Sequence, residues 1–154
     1  MNLRYATESD IDQINKLLYQ VHKIHADARP DLFVKGLKKY EDFEMIDIIA
    51  NREDSPVFIA EINNVVVGYA FCQAVRSMSG SRTINTLYID DLCVDETQRG
   101  QHIGTALLEY VTVYAQKHNF YNLTLNVWAL NSSAKAFYEK SGMAIQKFGM
   151  EKIL

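Results

Sequence analysis

The chain has 154 residues, 48% of them hydrophobic and 23% charged, with a net charge of −3. That length and balance predict one domain over residues 1–154 with a sizeable core, and disfavour a broad nucleic-acid surface. No apolar run approaches a membrane span, no signal-peptide core opens the chain, and Cys72 and Cys93 read as buried free thiols; a cytoplasmic protein is expected, with neither membrane nor nucleic acid as partner.

Asn2 to Ala6 reads as a short opening strand. Thr7 offers an N-cap with Asp10 three residues on, and Ile11, Ile14, Leu17, Leu18, Val21 and Ile24 recur at helical spacing, which predicts a helix over 8–25. Pro30 disfavours helix at Arg29, so residues 25–36 read as a break. A further helix carries Phe43, Ile46, Ile49 and Ala50 and ends near Asn51. His22 and His25 flank the break at a spacing unsuited to metal binding, and no other His/Cys cluster has ligand spacing; no metal is expected.

Val57 to Ile62 is a predicted strand, Asn63–Asn64 a turn suited to positive φ, and Val65 to Val75 the returning strand of a hairpin. A polar loop, Ser77 to Ser81, leads to a third strand from Arg82 or Thr83 to Val94. After a glycine-bearing loop, Ile103, Leu107, Tyr110, Val111, Tyr114 and His118 share one helical face, and Asn119 is a left-handed stop. Leu123 to Trp128 is a strand, Asn131–Ser132 caps a short helix through Lys140, Gly142 closes it, and Met143 to Leu154 supplies one or two closing strands. The predicted fold is α/β (α+β): a mixed, mostly antiparallel sheet of 6–7 strands with helices on both faces. The strands 83–94 and 121–128, joined by a crossover helix, run parallel. The glycine loop then lies at the carboxyl end of a parallel strand, where open α/β sheets bind ligands.

That loop, Arg99 to Thr105 with Gly100 and Gly104, runs from a strand into a helix start. Unpaired N–H groups and the helix dipole favour an anion at such a joint. Alone this is a weak signal, since many such joints carry glycine for turn geometry only. A P-loop is ruled out, because no GKS/T follows.

Two segments together are more specific. Val94 to Leu108, ValAspGluThrGlnArgGlyGlnHisIleGlyThrAlaLeuLeu, resembles the acyl-coenzyme A loop of the GNAT superfamily of N-acetyltransferases, of form [Q/R]-x-x-G-x-[G/A], falling on Arg99, His102 and Gly104. Asn131 to Gly142 resembles the superfamily's second signature, Asn-x-x-Ala-x-x-x-Tyr-x-x-x-Gly. His102 departs from the pattern, standing where the loop has its first glycine.

The resemblance implies acetyl-coenzyme A as co-substrate, with the parallel strands splayed at its cleft. Backbone groups of Leu92, Cys93 and Val94 would pair with the pantetheine amides. Arg99, Gly100, Gln101, His102, Ile103, Gly104 and Thr105 would hold the pyrophosphate, and Asn131 the pantetheine arm. Tyr138 matches the family's tyrosine beside the thioester sulfur. A phenol, with a pKa of about 10, is protonated at neutral pH and can hydrogen-bond or protonate a leaving thiolate. The attacking amine must lose a proton, and Asp90 and Asp91 are the candidate bases. Adjacent residues of a regular strand face opposite ways, so only one would enter a given side of the cleft. The run TyrIleAspAspLeuCysVal resembles spermidine/spermine acetyltransferases, which favours Asp90 as catalytic base or substrate contact; a water-relayed path is the alternative.

Asn126 stands where relatives that acetylate protein N-termini carry a glutamate, which disfavours that subclass. Residues 25–33 would border the acceptor, with Asp27 and Asp31 available to a cation. Cys93 is not assigned as an acyl carrier. The expected partner is a small-molecule primary amine, attacking directly in a ternary complex, and a homodimer is allowed. The competing function is a non-catalytic acyl-coenzyme A sensor or interaction module of the same fold.

Overall fold

The fold buries the apolar stripe that predicts the first helix as far as Leu18, while Val21 is partly buried and Ile24 exposed. In the computed structural model, which describes residues 1–79 and 82–154, a turn of 3₁₀ helix at Glu8–Asp10 leads into α1, Ile11–Ala28. Ile11, Ile14, Leu17 and Leu18 of α1 are buried. Asp10 fixes the start of this helix. Its carboxylate accepts from the Thr7 N–H and hydroxyl, both at 2.8 Å, and pairs with Arg4 at 2.7 Å. Arg4 holds the Asp10 carboxyl below the usual carboxylate range. The helix runs past its predicted end at residue 25 and stops just before Pro30, whose ring admits no helical predecessor. A long loop follows, and then α2, Asp42–Ala50.

Five strands form one sheet in the order β1-β2-β3-β4-β5: β1 Asn2–Tyr5, β2 Val57–Ile62, β3 Val65–Ser79, β4 Arg82–Val94 and β5 Asn122–Leu125. The first four are antiparallel, and β5 is parallel to β4. Asn63 and Asn64 turn the β2–β3 hairpin with φ of 51° and 62°, the positive values a tight twisted hairpin needs. The crossover is α3, Ile103–Lys117, and α4, Ser132–Lys140, follows β5. Gly80 and Ser81, in the predicted polar loop, lie outside the described residues.

The sheet is buried on both faces. α1 and α2 cover one, over Tyr69, Phe71 and Cys93. On the other, Leu108, Val111 and Ala115 of α3 pack against Phe58, Cys72, Leu87 and Ile89. Gly68 on β3 permits the close seating of α3: a Cβ there would lie 2.9 Å from the Cys93 carbonyl and 3.0 Å from Leu107 Cδ1. His118, predicted on the buried face of α3, is instead exposed beyond the helix's last turn, with its ring on Tyr114. Asn119, at φ 58°, is the left-handed stop. No described helix is long and apolar enough to cross a membrane.

Two predictions about the sheet are corrected. Among the described residues there are five strands, not six or seven. β5 ends at Leu125 rather than Trp128, and Met143 to Leu154 forms no strand. For the short β5 the cause lies in β4. Phe71 faces Asp91 and Cys72 faces Ile89, so Asp90 is an extra residue, a β-bulge that bends the strand. The β4–β5 ladder covers only Thr86 to Ile89 and ends at that bulge. Beyond it, residues 126–128 have no neighbour to complete a strand, and the tail leaves α4 exposed instead of adding to the sheet.

Candidate active site

The bulge decides what the two carboxylates can do. On a regular strand Asp90 and Asp91 would face opposite ways. With Asp90 extruded, both side chains reach the α1/α2 face. Asp90 accepts a hydrogen bond from the Tyr40 hydroxyl and pairs with Lys39 Nζ at 2.9 Å, while its carbonyl takes a bond from the same Nζ at 3.0 Å. Tyr40 in turn stacks on Phe71 at 4.8 Å. Asp90 therefore ties the α1–α2 loop to the sheet, and its carboxylate already has two donors.

Asp91 has a different setting. It is partly buried beneath the loop and accepts one side-chain hydrogen bond, from the Tyr69 hydroxyl at 3.0 Å. Tyr69 is fully buried, so its hydroxyl needs that partner. Burial pushes the Asp91 carboxyl up to about 6, against the opposing pull of Lys39 and of the Tyr69 bond. Neither Tyr69 nor the Lys39–Tyr40 pair was singled out from sequence. A tyrosine inside the apolar run ValValValGlyTyrAlaPhe is the available signal, since a buried phenol requires an acceptor.

Tyr138 lies on α4 and packs against the α3-side cluster, its ring 5.0 Å from that of Phe137. Burial first, then the charges of Asp91 and Cys93, push its phenol well above the usual value. The Asp91 carboxylate is thus close enough to be felt at the Tyr138 hydroxyl. The Cys93 thiol is buried, donates to the Leu17 carbonyl at 3.7 Å, and is pushed up to about 12 by burial. A thiol so poorly ionised is a packing group, not a nucleophile.

The residues expected to hold the pantetheine and pyrophosphate follow along β4 and the loop after it. No described strand pairs with the β5-facing edge of residues 90–94, so that edge is open to an added chain, apart from the Val94 carbonyl, which Arg99 occupies. The first hydrogen bond of α3 runs from Ala106 N–H to His102 C=O, at 3.0 Å. The N–H groups of Ile103, Gly104 and Thr105 precede it and carry no helical partner. His102 sits at φ 61°, ψ 14°, and Gly100 at φ 79°. The histidine thus adopts the left-handed turn that a glycine would take, and no side chain caps the helix. Gly104 has room for a methyl group, its nearest neighbours Phe137 and Val94 lying at 3.5 Å. Arg99 folds back, its Nε donating to the Val94 carbonyl at 3.2 Å. Gln101 donates to Gln98 at 3.1 Å. Asn131 is the N-cap of α4, its Oδ1 accepting from Ala134 N–H at 3.1 Å. The open strand edge, the uncapped helix start and Arg99 fit an extended, anionic acyl-coenzyme A. Among the described residues no group of three His, Cys, Asp or Glu side chains is placed to hold a metal ion.

On the acceptor side, Asp27 and Asp31 are already matched within the chain. Asp27 pairs with Lys23 at 2.6 Å and Lys35 at 3.2 Å, and Asp31 with Arg29 at 2.7 Å. The surrounding wall is aromatic. Phe33 stacks on His25 at 5.3 Å and meets Trp128 edge-on at 5.6 Å, bordering a cavity of about 90 Å³. Asn126 donates to the Tyr88 hydroxyl at 3.1 Å.

Comparison with known proteins decides the family. The sequence model of the acetyltransferase (GNAT) family matches residues 18–143. The chain belongs to the GNAT acetyltransferase family. It is 26% identical over 140 residues to an uncharacterized N-acetyltransferase of Methanocaldococcus jannaschii, covering 91% of this chain and 59% of that protein. The chain thus spans under two thirds of that relative's length. The crystal structure of a mutant of the BH1408 protein from Bacillus halodurans matches with a TM-score of 0.94 at 32% identity, over 100% of this GNAT chain and 99% of that one. An aminoglycoside acetyltransferase from an uncultured soil metagenomic sample, crystallised with trehalose, shares the fold at a TM-score of 0.76, 17% identity and 99% and 95% coverage.

Proposed function

We propose that this GNAT chain transfers the acetyl group of acetyl-coenzyme A to a primary amine of a small molecule, by direct attack in a ternary complex. The observation that carries this reading is the β4 bulge, which turns the Asp91 carboxyl inward beside Tyr69 where β4 and β5 part, with the Tyr138 phenol near enough to feel its charge. The carboxyl is held near 6, and the phenol is held firmly protonated. Acetyl-coenzyme A supplies an activated thioester there. Leu92 to Val94 would hold its pantetheine by backbone pairing, and Arg99 to Thr105 its pyrophosphate.

Asp91 serves as the proton acceptor. An alkylammonium, with a pKa of about 10.4, must reach the amine form before it attacks. A carboxylate with a pKa of about 6 is mostly ionised at neutral pH yet close enough to it to be a competent base. Asp90, held by Lys39 and Tyr40, orients the loop beside the amine. The ammonium gives its first proton to solvent as it binds; as the neutral nitrogen then bonds to the acetyl carbon the C–S bond breaks, its second proton passes to Asp91, and the sulfur departs as thiolate against the Tyr138 hydroxyl. Because that phenol is a weaker acid than a thiol of pKa about 8.5, its best contribution is a hydrogen bond to the developing thiolate.

The test is thiol release from acetyl-coenzyme A across polyamines, amino acids, aminoglycosides and peptides. Turnover on a small amine, without turnover on peptides, is the expected result. Absence of acetyl-coenzyme A binding by calorimetry at sub-millimolar concentration would overturn the reading.

A further inference from the structure

Lys39 brings a primary amine of the chain itself to the β4 bulge. It lies in the loop between α1 and α2, one residue before Tyr40. Its Nζ is 2.9 Å from the Asp90 carboxylate and 3.0 Å from the Asp90 carbonyl. Burial raises the Asp91 carboxyl, and the charge of Lys39 is the largest influence opposing it, so the ammonium is felt at both carboxylates. The Lys39 side chain is 40% exposed, so solvent reaches it. An amine on a flexible four-carbon stem thus sits beside the carboxylate proposed as proton acceptor. The strand that carries this carboxylate continues into Leu92 to Val94, the residues that would hold the pantetheine.

Other lysines of the same region are placed differently. Lys38 is turned to Asp42 and Asn15, with 9% of its side chain exposed. Lys23 and Lys35 are 76% and 73% exposed and pair with Asp27. Acetylation by a donor free in solution follows exposure, and would favour Lys23 and Lys35. Acetylation inside the site follows placement, and would favour Lys39.

We propose that Lys39 is a self-acetylation site: with no acceptor amine bound, the chain transfers the acetyl group of acetyl-coenzyme A to its own Lys39 Nζ. Self-acetylation rests on the transfer reaction proposed for this site. The Lys39 ammonium gives its first proton to solvent. The neutral nitrogen then bonds to the acetyl carbon as the C–S bond breaks, its second proton passes to Asp91, and the sulfur leaves as thiolate against the Tyr138 hydroxyl. The product amide carries no charge. The ion pair with Asp90 is lost, and the Tyr40 hydroxyl remains as the loop's bond to that carboxylate.

Peptide mapping by mass spectrometry tests this on the full chain, incubated with isotopically labelled acetyl-coenzyme A and no added amine. Lys39 should take up label at least about 100-fold faster than Lys23 or Lys35. The fraction of Lys39 labelled per unit time should not change as the protein is diluted, because amine and site belong to one chain. D91N should slow labelling of Lys39 at least about 100-fold, leaving Lys23, Lys35 and the far-UV circular dichroism unchanged. K35R should leave Lys39 labelling as in wild type. Labelling that follows exposure would overturn the proposal, as would a rate that rises with protein concentration or a D91N chain labelled as fast as wild type. Thiol release to a polyamine or an aminoglycoside while Lys39 stays unlabelled would overturn self-acetylation alone. Absence of acetyl-coenzyme A binding would overturn both reactions together.

Discussion

The two ends of the cleft are built on opposite plans. At the β4 bulge, the proposed chemistry rests on side chains: Asp91, Tyr69 and Tyr138 are buried or partly buried, and each would act through an atom beyond its Cβ. At the loop from Arg99 to Thr105, the proposed cofactor binding rests on backbone N–H groups ahead of the first α3 hydrogen bond, and most of the side chains are exposed. The first plan is sensitive to every functional group. The second is sensitive to backbone conformation, which is how a histidine can stand where the family pattern has glycine. Substitution should therefore act steeply at one end and shallowly at the other.

The steepest effect is expected at Asp91. D91N should lower kcat by about 10²- to 10⁴-fold and abolish the acid limb of the kcat/KM profile near pH 6, measured by thiol release. D90N should keep that limb. Stability should move the other way. Folding raises the Asp91 pKa from 3.8 to about 6, so the folded state binds this proton more tightly than the unfolded chain. Its contribution to stability is fully favourable below 3.8, falls as pH rises between 3.8 and 6, and is unfavourable above 6. D91N should thus match wild type near pH 3.5 and exceed it at pH 8, by at most about 3 kcal/mol, read from denaturant midpoints. A structural carboxylate would give stability losses instead.

Tyr138 is next. Y138F should leave the Kd for acetyl-coenzyme A nearly intact and lower kcat at least about tenfold, by calorimetry and steady-state kinetics. Unchanged turnover would remove Tyr138 from the chemistry and leave the bulge with a single working group.

The legibility of these two ends in the sequence differs for the same physical reason. Local signals carried the hairpin, the left-handed Asn119, the α4 N-cap Asn131 and the glycine-bearing loop, because each is decided by a few adjacent residues. The bulge at Asp90 was not legible. It arises from the tertiary pairing of β4 with β3, and it overturns the expectation that only one of Asp90 and Asp91 enters a given side of the cleft. Tyr69, Lys39 and Tyr40 were hidden likewise, since they meet β4 only through tertiary contact. The closing strands expected over Met143 to Leu154 fail on the same ground: whether an apolar tail pairs is decided by tertiary contact and not by its own pattern.

At the loop, Arg99 should give the larger of two modest effects. R99A removes a charged donor now seated on the Val94 carbonyl, and should raise the KM for acetyl-coenzyme A about tenfold with kcat little changed. A loss confined to kcat would place Arg99 in the wrong half of the comparison.

His102 should give the smallest effect, and it tests the backbone plan most directly. Its φ of 61° strains a residue that bears a Cβ, by about 1 kcal/mol, while glycine there would cost a similar amount in unfolded-chain entropy. H102G should therefore leave the acetyl-coenzyme A Kd and the unfolding midpoint within about 0.5 kcal/mol of wild type. H102V keeps a side chain but adds a β-branch, which the left-handed region tolerates least, and should cost about 1–2 kcal/mol more in stability and weaken binding with it. If H102G instead weakens binding tenfold while the fold is unchanged, the imidazole itself touches the phosphates. The loop would then share the side-chain plan of the bulge.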